Sequence, residues 1–381
     1  MYKSIKEMDI FISDGNYSSK YPRSDEFVDE GIPFIRGNNM IDGEIVDEDM
    51  YHITKEKHNI LLKGHVKPGD VLITTRGNIG QVAIVPERHN DSNINAQIVL
   101  LRVNREELYN RYLLWALQSQ KAKEQYLSLQ TGTALKQLPV GKLEQVKIKC
   151  VDLKSQFEIA EIFDKAYKLI NIRKKELEVL DELIKARFVE LFGDPLASNK
   201  VNYIFTECVE FNPKKLEVKD LQDVEVSFVP MECVGVDGSF SIKGIGLVSD
   251  YYNGYTYFRD GDVLLAKITP CFENGKVAIA TDCKNGIGFG TTEFHVSRPL
   301  KGITNSVWIK YLLKNDMVHD LATINMSGSA GQKRIQTPFF NKLKVYVPPI
   351  EQQEEFADFV KQVDKSKFRK LCYNSFERKN N

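Results

Sequence analysis

A chain of 381 residues with 42% hydrophobic and 27% charged side chains has enough apolar mass for two or three domains with real cores, which excludes wholesale disorder. Its 52 Lys and Arg are balanced by 52 Asp and Glu, so no global positive charge marks a nucleic-acid binder, and any such role must come from local clustering. The six cysteines never reach C-x-x-C spacing and have no His at a zinc-ligand interval, so no metal site is expected; with no signal peptide and no apolar run near ~20 residues, the chain reads as cytoplasmic, with free thiols and no membrane partner.

Residues 1–65 are polar and turn-rich around one apolar island, GIPFIRGNN (31–39), which reads as a buried strand running into a loop. VKPGDVLITTRGNIGQVAIVPE (66–87) has hairpin grammar: two β-rich runs about a glycine-containing turn. NAQIVLLRV (95–103) predicts a strand, YNRYLLWALQSQKAKEQYLSL (109–129) an amphipathic helix, TGTALKQLP (131–139) a small-residue loop, and LEQVKIKCV (143–151) a closing strand. Residues 152–192 then contain neither Gly nor Pro and predict one helix on the order of 60 Å long, stopped by GDP at 193–195. Within it Phe163, Ile170, Leu177, Ile184 and Leu191 fall seven apart, with Leu180 beside them, as in a coiled-coil seam.

The second half repeats this order. FRDGDVLLAKITPCFENGKVAIA (258–280) matches the first hairpin, with Asp262 on Asp70. TTEFHVSR (291–298) matches NAQIVLLR, with Glu293 on Gln97 and Arg298 on Arg102; SGSAGQKRIQTP (327–338) matches TGTALKQLP; and LKVYVPPIEQQEEFADFVK (343–361) matches VKIKCVDLKSQFEIAEIFD, with Gln353 on Gln156. Order, spacing and residue type persist through five elements, the signature of a duplication. The fold expected is therefore α+β: two similar mixed α/β domains separated by long antiparallel coiled-coil-like helices, so that one polypeptide imitates a two-fold dimer. The second helix, at about 351–376, would pack through Phe356, Val360 and Val363, with Lys367 at the position Ile170 holds in the first. Being shorter, it leaves part of the first helix without an intrachain partner, and apolar surface is expected there.

Templates for catalysis fail one by one. GIGLVS (244–249) and GIGFG (286–290) are not a dinucleotide fingerprint, GSAGQK (328–333) is too short for a Walker A loop, and NPKK (212–215) and VPPI (347–350) only approach an amino-methyltransferase tetrapeptide. Donor-rich loops do better. RGNN and TTRGN supply Arg36, Asn38, Asn39, Thr74, Thr75, Arg76 and Asn78; TALKQ supplies Lys136 and Gln137; KITP supplies Lys267 and Thr269; GQKR supplies Gln332, Lys333 and Arg334. These residue types can bridge guanine or adenine edges or hold phosphate. Thr131, Gly132, Gly328 and Ser329 would let backbone N–H groups come close to phosphate. Any one loop alone reads more readily as an ordinary polar turn; recurrence at equivalent places favours the set but not its individual residues. Tyr251, Tyr252, Tyr255, Tyr257 and Phe258 form either an aromatic contact surface or an edge strand packed on the second core, and the KKELEVLDELIK face of the long helix reads as a solvated face.

GIPFIRGNN, PGDVLITTRGNIG with its partner DGDVLLAKITPCFENGKVAIA, SGSAGQKRI, and ARFVELFGDP closing the central helix together resemble the specificity subunits of type I restriction-modification enzymes, over nearly the whole chain. The resemblance implies target recognition domains at about 1–150 and 196–347, a first central region at 151–195 and a second at 348–381. It implies a non-catalytic subunit that reads a split, asymmetric site in double-stranded DNA, with the long helices fixing the gap and docking two methyltransferase subunits. S-adenosylmethionine would be held by those subunits, and ATP and Mg by a separate restriction and translocase subunit; none would be bound by this chain. Acidic residues such as Glu176, Glu178, Asp181 and Glu182 would then meet solvent or the partner subunits. A stand-alone DNA-modifying enzyme with a fused recognition region, or a purely structural coiled-coil adaptor, are the competing readings. If the helix is a ruler, inserting a few residues between Lys174 and Leu183 lengthens the gap in the recognised DNA and leaves both half-sites unchanged, as methylome sequencing would report; altered half-sites would refute the ruler.

Overall fold

The computed structural model describes residues 1–15, 20–133, 135–197, 199–329 and 331–377, with side chains described as far as Lys367. Ala134 of TALKQ, Ala330 of SGSAGQKRI and the last four residues of the expected second central region lie outside the described residues. The chain divides into two compact units, Met1–Ile172 and Arg173–Asn381.

The first unit is built on an antiparallel sheet ordered Ile10–Asp14, Ile98–Val103, Val71–Thr74, Val82–Ile84. Its central strands Val71–Thr74 and Ile98–Val103 read as apolar runs because both faces are covered there. Val71, Ile73, Val99 and Leu101 point into one core with Leu113, Leu114 and Leu117, while Leu72, Ala83 and Leu100 point into another with Ile35, Met40 and Ile45. That division is the two-residue period of a strand. A smaller sheet lies alongside in the order Asn93–Ile94, Ile32–Ile35, Tyr51–Ile53, Phe27–Val28, its first pair parallel.

The second unit repeats the main sheet as Val209–Phe211, Phe294–Pro299, Val263–Ala266, Val277–Ile279, again antiparallel throughout. It again has a smaller sheet with one parallel pair, Glu225–Val229 against Ile287–Gly290. Each unit is tied off by its first and last strands, Tyr2–Ser4 with Lys147–Lys149 and Tyr203–Ile204 with Lys344–Val345. The duplication extends to single hydrogen bonds. Gln156 Oε1 accepts from Tyr109 N at 2.8 Å and its Nε2 donates to the Val151 carbonyl at 3.0 Å; Gln353 does the same with Asn305 N at 3.0 Å and the Pro348 carbonyl at 2.8 Å.

Several expectations are corrected. The single helix expected over 109–129 is two, Asn110–Gln118 and Gln120–Leu129, because Ser119 is extended and its hydroxyl caps the second by accepting from Ala122 N. Residues 1–65, read as mostly turns, also hold the strands Tyr2–Ser4, Ile10–Asp14, Phe27–Val28 and Tyr51–Ile53 and the helix Lys55–Ile60. Of the aromatic run, Tyr257 and Phe258 are fully buried and Tyr251, Tyr252 and Tyr255 pack against the same clusters, which is the core reading and not the contact surface.

The long helix spans Leu153–Phe192 and ends at Gly193, whose φ of 70° suits glycine. Its seven-residue column is not a uniform seam. Phe163 and Ile170 are about half exposed (50% and 52%), Leu177 is intermediate, and the enclosed apolar positions are Ala160, Ile184, Phe188 and Phe192. In the first unit the helix leans on its own domain through Trp115, which stacks on Phe163 at 5.6 Å and donates to Asp164. In the second it packs on the helix Ile350–Glu377 and on that domain at once, which widens the buried stripe beyond a two-helix seam. Leu180 and Leu191 pack partly against this core, and Phe356, Val360 and Val363 lie within it.

The two helices of the second unit run antiparallel, as Arg187 pairs with Glu355 at 2.8 Å and Asp181 with Lys367 at 2.6 Å. Asp181 is thus engaged within the chain, and Lys367, an unlikely seam residue by composition, earns its place through Asp181 and Asp364 and through its carbonyl, which accepts from Arg173 Nη2. Phe356 is fully buried, with its ring 5.5 Å from Phe188 and from Phe192. Phe356→Ala is expected to destabilise the second unit by about 3–5 kcal/mol, read as a lower urea midpoint.

Candidate nucleic-acid interface

Three loops converge at one end of the first unit's main sheet. The turn Gly37–Asn39 follows the strand Ile32–Ile35 and sits on the 74–78 loop so closely that a Cβ at Gly37 would touch Thr74 Cγ2 at 3.4 Å. Thr74 and Thr75 are buried: the Thr74 hydroxyl donates to the Asn78 carbonyl and accepts from Gln81 N, and the Thr75 hydroxyl donates to the Gln97 carbonyl at 3.1 Å. The third loop closes on itself through reciprocal Thr131 and Gln137 backbone bonds of 2.8 and 2.9 Å. It docks on the second loop through Leu138 N to the Thr75 carbonyl at 2.8 Å and a bridge between Arg76 and Gln137.

The second unit builds the same junction from other residues. Lys267 N donates to the Glu293 carbonyl at 2.9 Å, Ile335 N to the Lys267 carbonyl at 2.9 Å, and Ser327 and Arg334 exchange backbone bonds of 3.0 and 2.8 Å. Ile268 bridges Arg334 as Arg76 bridges Gln137. Gly132 and Gly328 hold equivalent places with φ of 96° and 140°, where an added Cβ would meet the Leu135 or Gln332 carbonyl oxygen at 2.3 or 2.6 Å. Only glycine closes these turns.

The donors drawn from the sequence therefore separate. Asn39, Thr74 and Thr75 leave the exposed set: Asn39 is fully buried, with Oδ1 accepting from Arg36 N and Nδ2 donating to the Glu48 carbonyl. These three shape the loops because a short polar side chain satisfies nearby backbone when the turn folds over it. Arg36 is half-buried, its guanidinium over the Tyr51 ring at 3.3 Å and its Nη2 donating to the Asp49 carbonyl at 2.6 Å. Asn38, Arg76, Asn78, Lys136, Gln332 and Lys333 are exposed, and Gln137, Lys267 and Thr269 are partly so. The Thr269 hydroxyl donates to the Lys333 carbonyl at 3.2 Å. Arg334 forks onto Glu293, with Nη2 at 2.9 Å and Nε at 3.0 Å, and the hydrogen bonds hold the Glu293 carboxyl below its ordinary range. Gln137 and Gln97 stand there in the first unit, so one junction carries an ion pair where the other carries two neutral amides.

Under the second junction lies His295, at the place that the apolar Val99 holds in the first unit. Its Nε2 donates to the Ile335 carbonyl at 2.9 Å and its Nδ1 accepts from Asn212 Nδ2 at 3.3 Å. Burial pushes its pKa down from 6.5 to about 4. Among the described residues the cysteines Cys150, Cys208, Cys233, Cys271 and Cys283 are free, and no helix is long and apolar enough to cross a membrane.

Two equivalent units, each presenting polar loops at a sheet end and each leading into a long helix, define a duplicated recognition scaffold. Residues 4–182 and 207–370 match the type I restriction modification DNA specificity domain, and the chain belongs to that family. The EcoAI and EcoEI type I restriction enzyme specificity subunits of Escherichia coli are each 43% identical to it over 151 and 152 residues, 39% of this chain. Those matches span 25% of each relative, a quarter of their length. The putative MjaX specificity subunit of Methanocaldococcus jannaschii is 24% identical over 350 residues, 88% of this chain and 80% of that one. In fold, the chain resembles the type I restriction-modification S subunit from M. genitalium, with a TM-score of 0.53 at 13% identity, covering 100% of this chain and 94% of that one. A chain from work on complex assembly of the type I R-M system gives 0.52 at 15% identity with the same coverage.

His295 makes the second junction acid-sensitive. The unfolded chain takes up a proton near pH 6.5 while the folded ring stays neutral down to about 4, so the stabilisation is complete above pH 6.5 and is lost as pH falls toward 4, on the order of 3 kcal/mol in all. The urea midpoint of the wild type is expected to fall more steeply across that window than that of His295→Gln; equal slopes would remove the assignment.

Proposed function

We propose that this chain is the DNA-recognition subunit of a type I restriction-modification complex, each unit reading one part of a bipartite, asymmetric site. The observation that carries this reading is the junction built twice from one backbone plan with different side chains, since equal scaffolds with unequal loops suit a site of two unlike parts. We assign the DNA-facing positions to Asn38, Arg76, Asn78, Lys136 and Gln137 in the first unit and to Lys267, Thr269, Gln332, Lys333 and Arg334 in the second. Arg36, stacked on Tyr51 with Nη2 bonded to the Asp49 carbonyl, is kept with them. Arg and Asn are suited to bidentate base contacts and Lys to phosphate.

The recognition domains are taken as about 1–150 and 196–347, with the central regions 151–195 and 348–381 as spacer. The partners are double-stranded DNA, two methyltransferase subunits and a restriction and translocase subunit, and a DNA substrate implies residence in the cytoplasm. Chemistry belongs to those partners, S-adenosylmethionine in the methyltransferases and ATP with Mg in the motor subunit. Exposed apolar residues on the long helix, among them Ile162, Leu169 and Ile172, supply a docking face for a methyltransferase.

Lys136→Ala and Lys333→Ala in the complex with a methyltransferase are each expected to weaken DNA binding at all sequences alike and to reduce the slope of log K against log salt by about 1. Exchanging Asn78 or Gln332 is expected to change which sites are methylated, read by methylome sequencing with and without this chain. A partner that modifies the same sites in both cases would overturn the proposal.

A further inference from the structure

Apart from these loops, His58, His65 and Asp91 bring two imidazoles and a carboxylate together, with one ligand atom from each lying within 4.8 Å of the others. Widely spaced in sequence, they form no recognisable motif; the fold assembles them. His58 lies on the helix Lys55–Ile60, and Val66 N donates to the Ser92 carbonyl while Asp91 N donates to the Val66 carbonyl, clamping the segments that carry the other two.

The hydrogen bonds fix which ring nitrogens face the carboxylate. His65 Nε2 lies 2.6 Å from the Leu61 carbonyl oxygen, which can only accept, so Nε2 carries the proton and Nδ1 turns its lone pair toward Asp91 Oδ1 at 3.4 Å. His58 Nδ1 lies 2.5 Å from the Oδ1 of buried Asn93; when it donates to that oxygen, the Nε2 lone pair is left toward Asp91 Oδ2 at 3.2 Å. Two lone pairs and a carboxylate facing one another call for positive charge between them. The two rings lie 4.5 Å apart, and His58 is almost wholly out of water. One dication answers all three groups. The 3.2 and 3.4 Å separations, one to each oxygen of Asp91, are close to the ~3.3 Å ligand-to-ligand spacing about a zinc ion with bonds of about 2.0–2.1 Å. Each histidine meanwhile donates its other nitrogen to an oxygen, the usual outer partner of a metal-bound imidazole.

We propose that His58 Nε2, His65 Nδ1 and Asp91 bind a divalent transition-metal ion of the zinc class, with solvent completing the coordination on the side where Asp91 is exposed. Such an ion ties the 55–66 segment to the strand Asn93–Ile94, which pairs in parallel with Ile32–Ile35 and so braces the strand that leads into Arg36. Its role is structural, in the first unit alone, and independent of any partner or DNA.

The test uses the untagged full-length chain, stripped with a chelator and titrated near neutral pH with Zn2+ against a chromophoric competitor, and in parallel with Co2+ followed by visible absorption. One ion per chain is expected, with His65→Ala and Asp91→Asn each weakening binding by about tenfold or more, while His89→Ala leaves it unchanged. Absence of a stoichiometric site, a site that survives both substitutions, or a thiolate charge-transfer band showing cysteine ligation would overturn the assignment. Should a variant fail to fold, Zn2+ protection of His65 from diethyl pyrocarbonate in the wild type decides the matter: protection supports the site, and equal modification with and without Zn2+ refutes it.

Discussion

A buried carboxylate gripping an arginine on the neighbouring strand sets the register on which each unit depends. Asp70 closes the turn before Val71–Thr74 by accepting from Lys67 N at 2.8 Å, and its two oxygens take Arg102 Nε and Nη2 at 2.7 Å each. Asp262 closes the equivalent turn through Arg259 N at 2.8 Å and takes Arg298 at 2.9 Å by both nitrogens. Both carboxylates are almost fully buried, so neither can lose its partner without leaving an uncompensated charge inside the protein. Because the sheet is covered on both faces, a slip of one residue would exchange the two cores, and the fork geometry forbids it.

From that fixed register the loops inherit their places. Thr75 and Lys267 leave the ends of pinned strands, and the third-loop residues Leu138 and Ile335 bond to their carbonyls, so the exposed donors stand on backbone that is doubly anchored. At the other side of each domain the buried amides of Gln156 and Gln353 fasten the first turn of a long helix to the domain before it. Loop, sheet and helix are thus coupled by a few polar contacts within each unit, repeated almost bond for bond.

Much of this was legible in the sequence, for reasons tied to particular residues. The strands Val71–Thr74 and Val263–Ala266 announce themselves as apolar runs after a Gly-Asp turn, and the helix Leu153–Phe192 by forty residues free of Gly and Pro. The short strands of the first sixty-five residues did not, since two to five residues carry too little periodicity to separate them from turns. Within the donor loops, type could be read but burial could not. Asn38 and Asn39 are neighbours of identical chemistry, one exposed and one sealed beneath the turn. The heptad column records which face is apolar, not what covers it: Phe163 stacks on Trp115 of the helix Asn110–Gln118 and not on the second long helix.

The pairing of first and last strands in each unit has its own consequence. With Tyr2 opposite Lys149 and Tyr203 opposite Val345, entry and exit of each domain lie side by side, like the two ends of a cassette. The chain therefore leaves each domain beside the point at which it entered, whatever path the residues between them take. The strand pair, and not the loops between, fixes where each domain joins the rest of the chain.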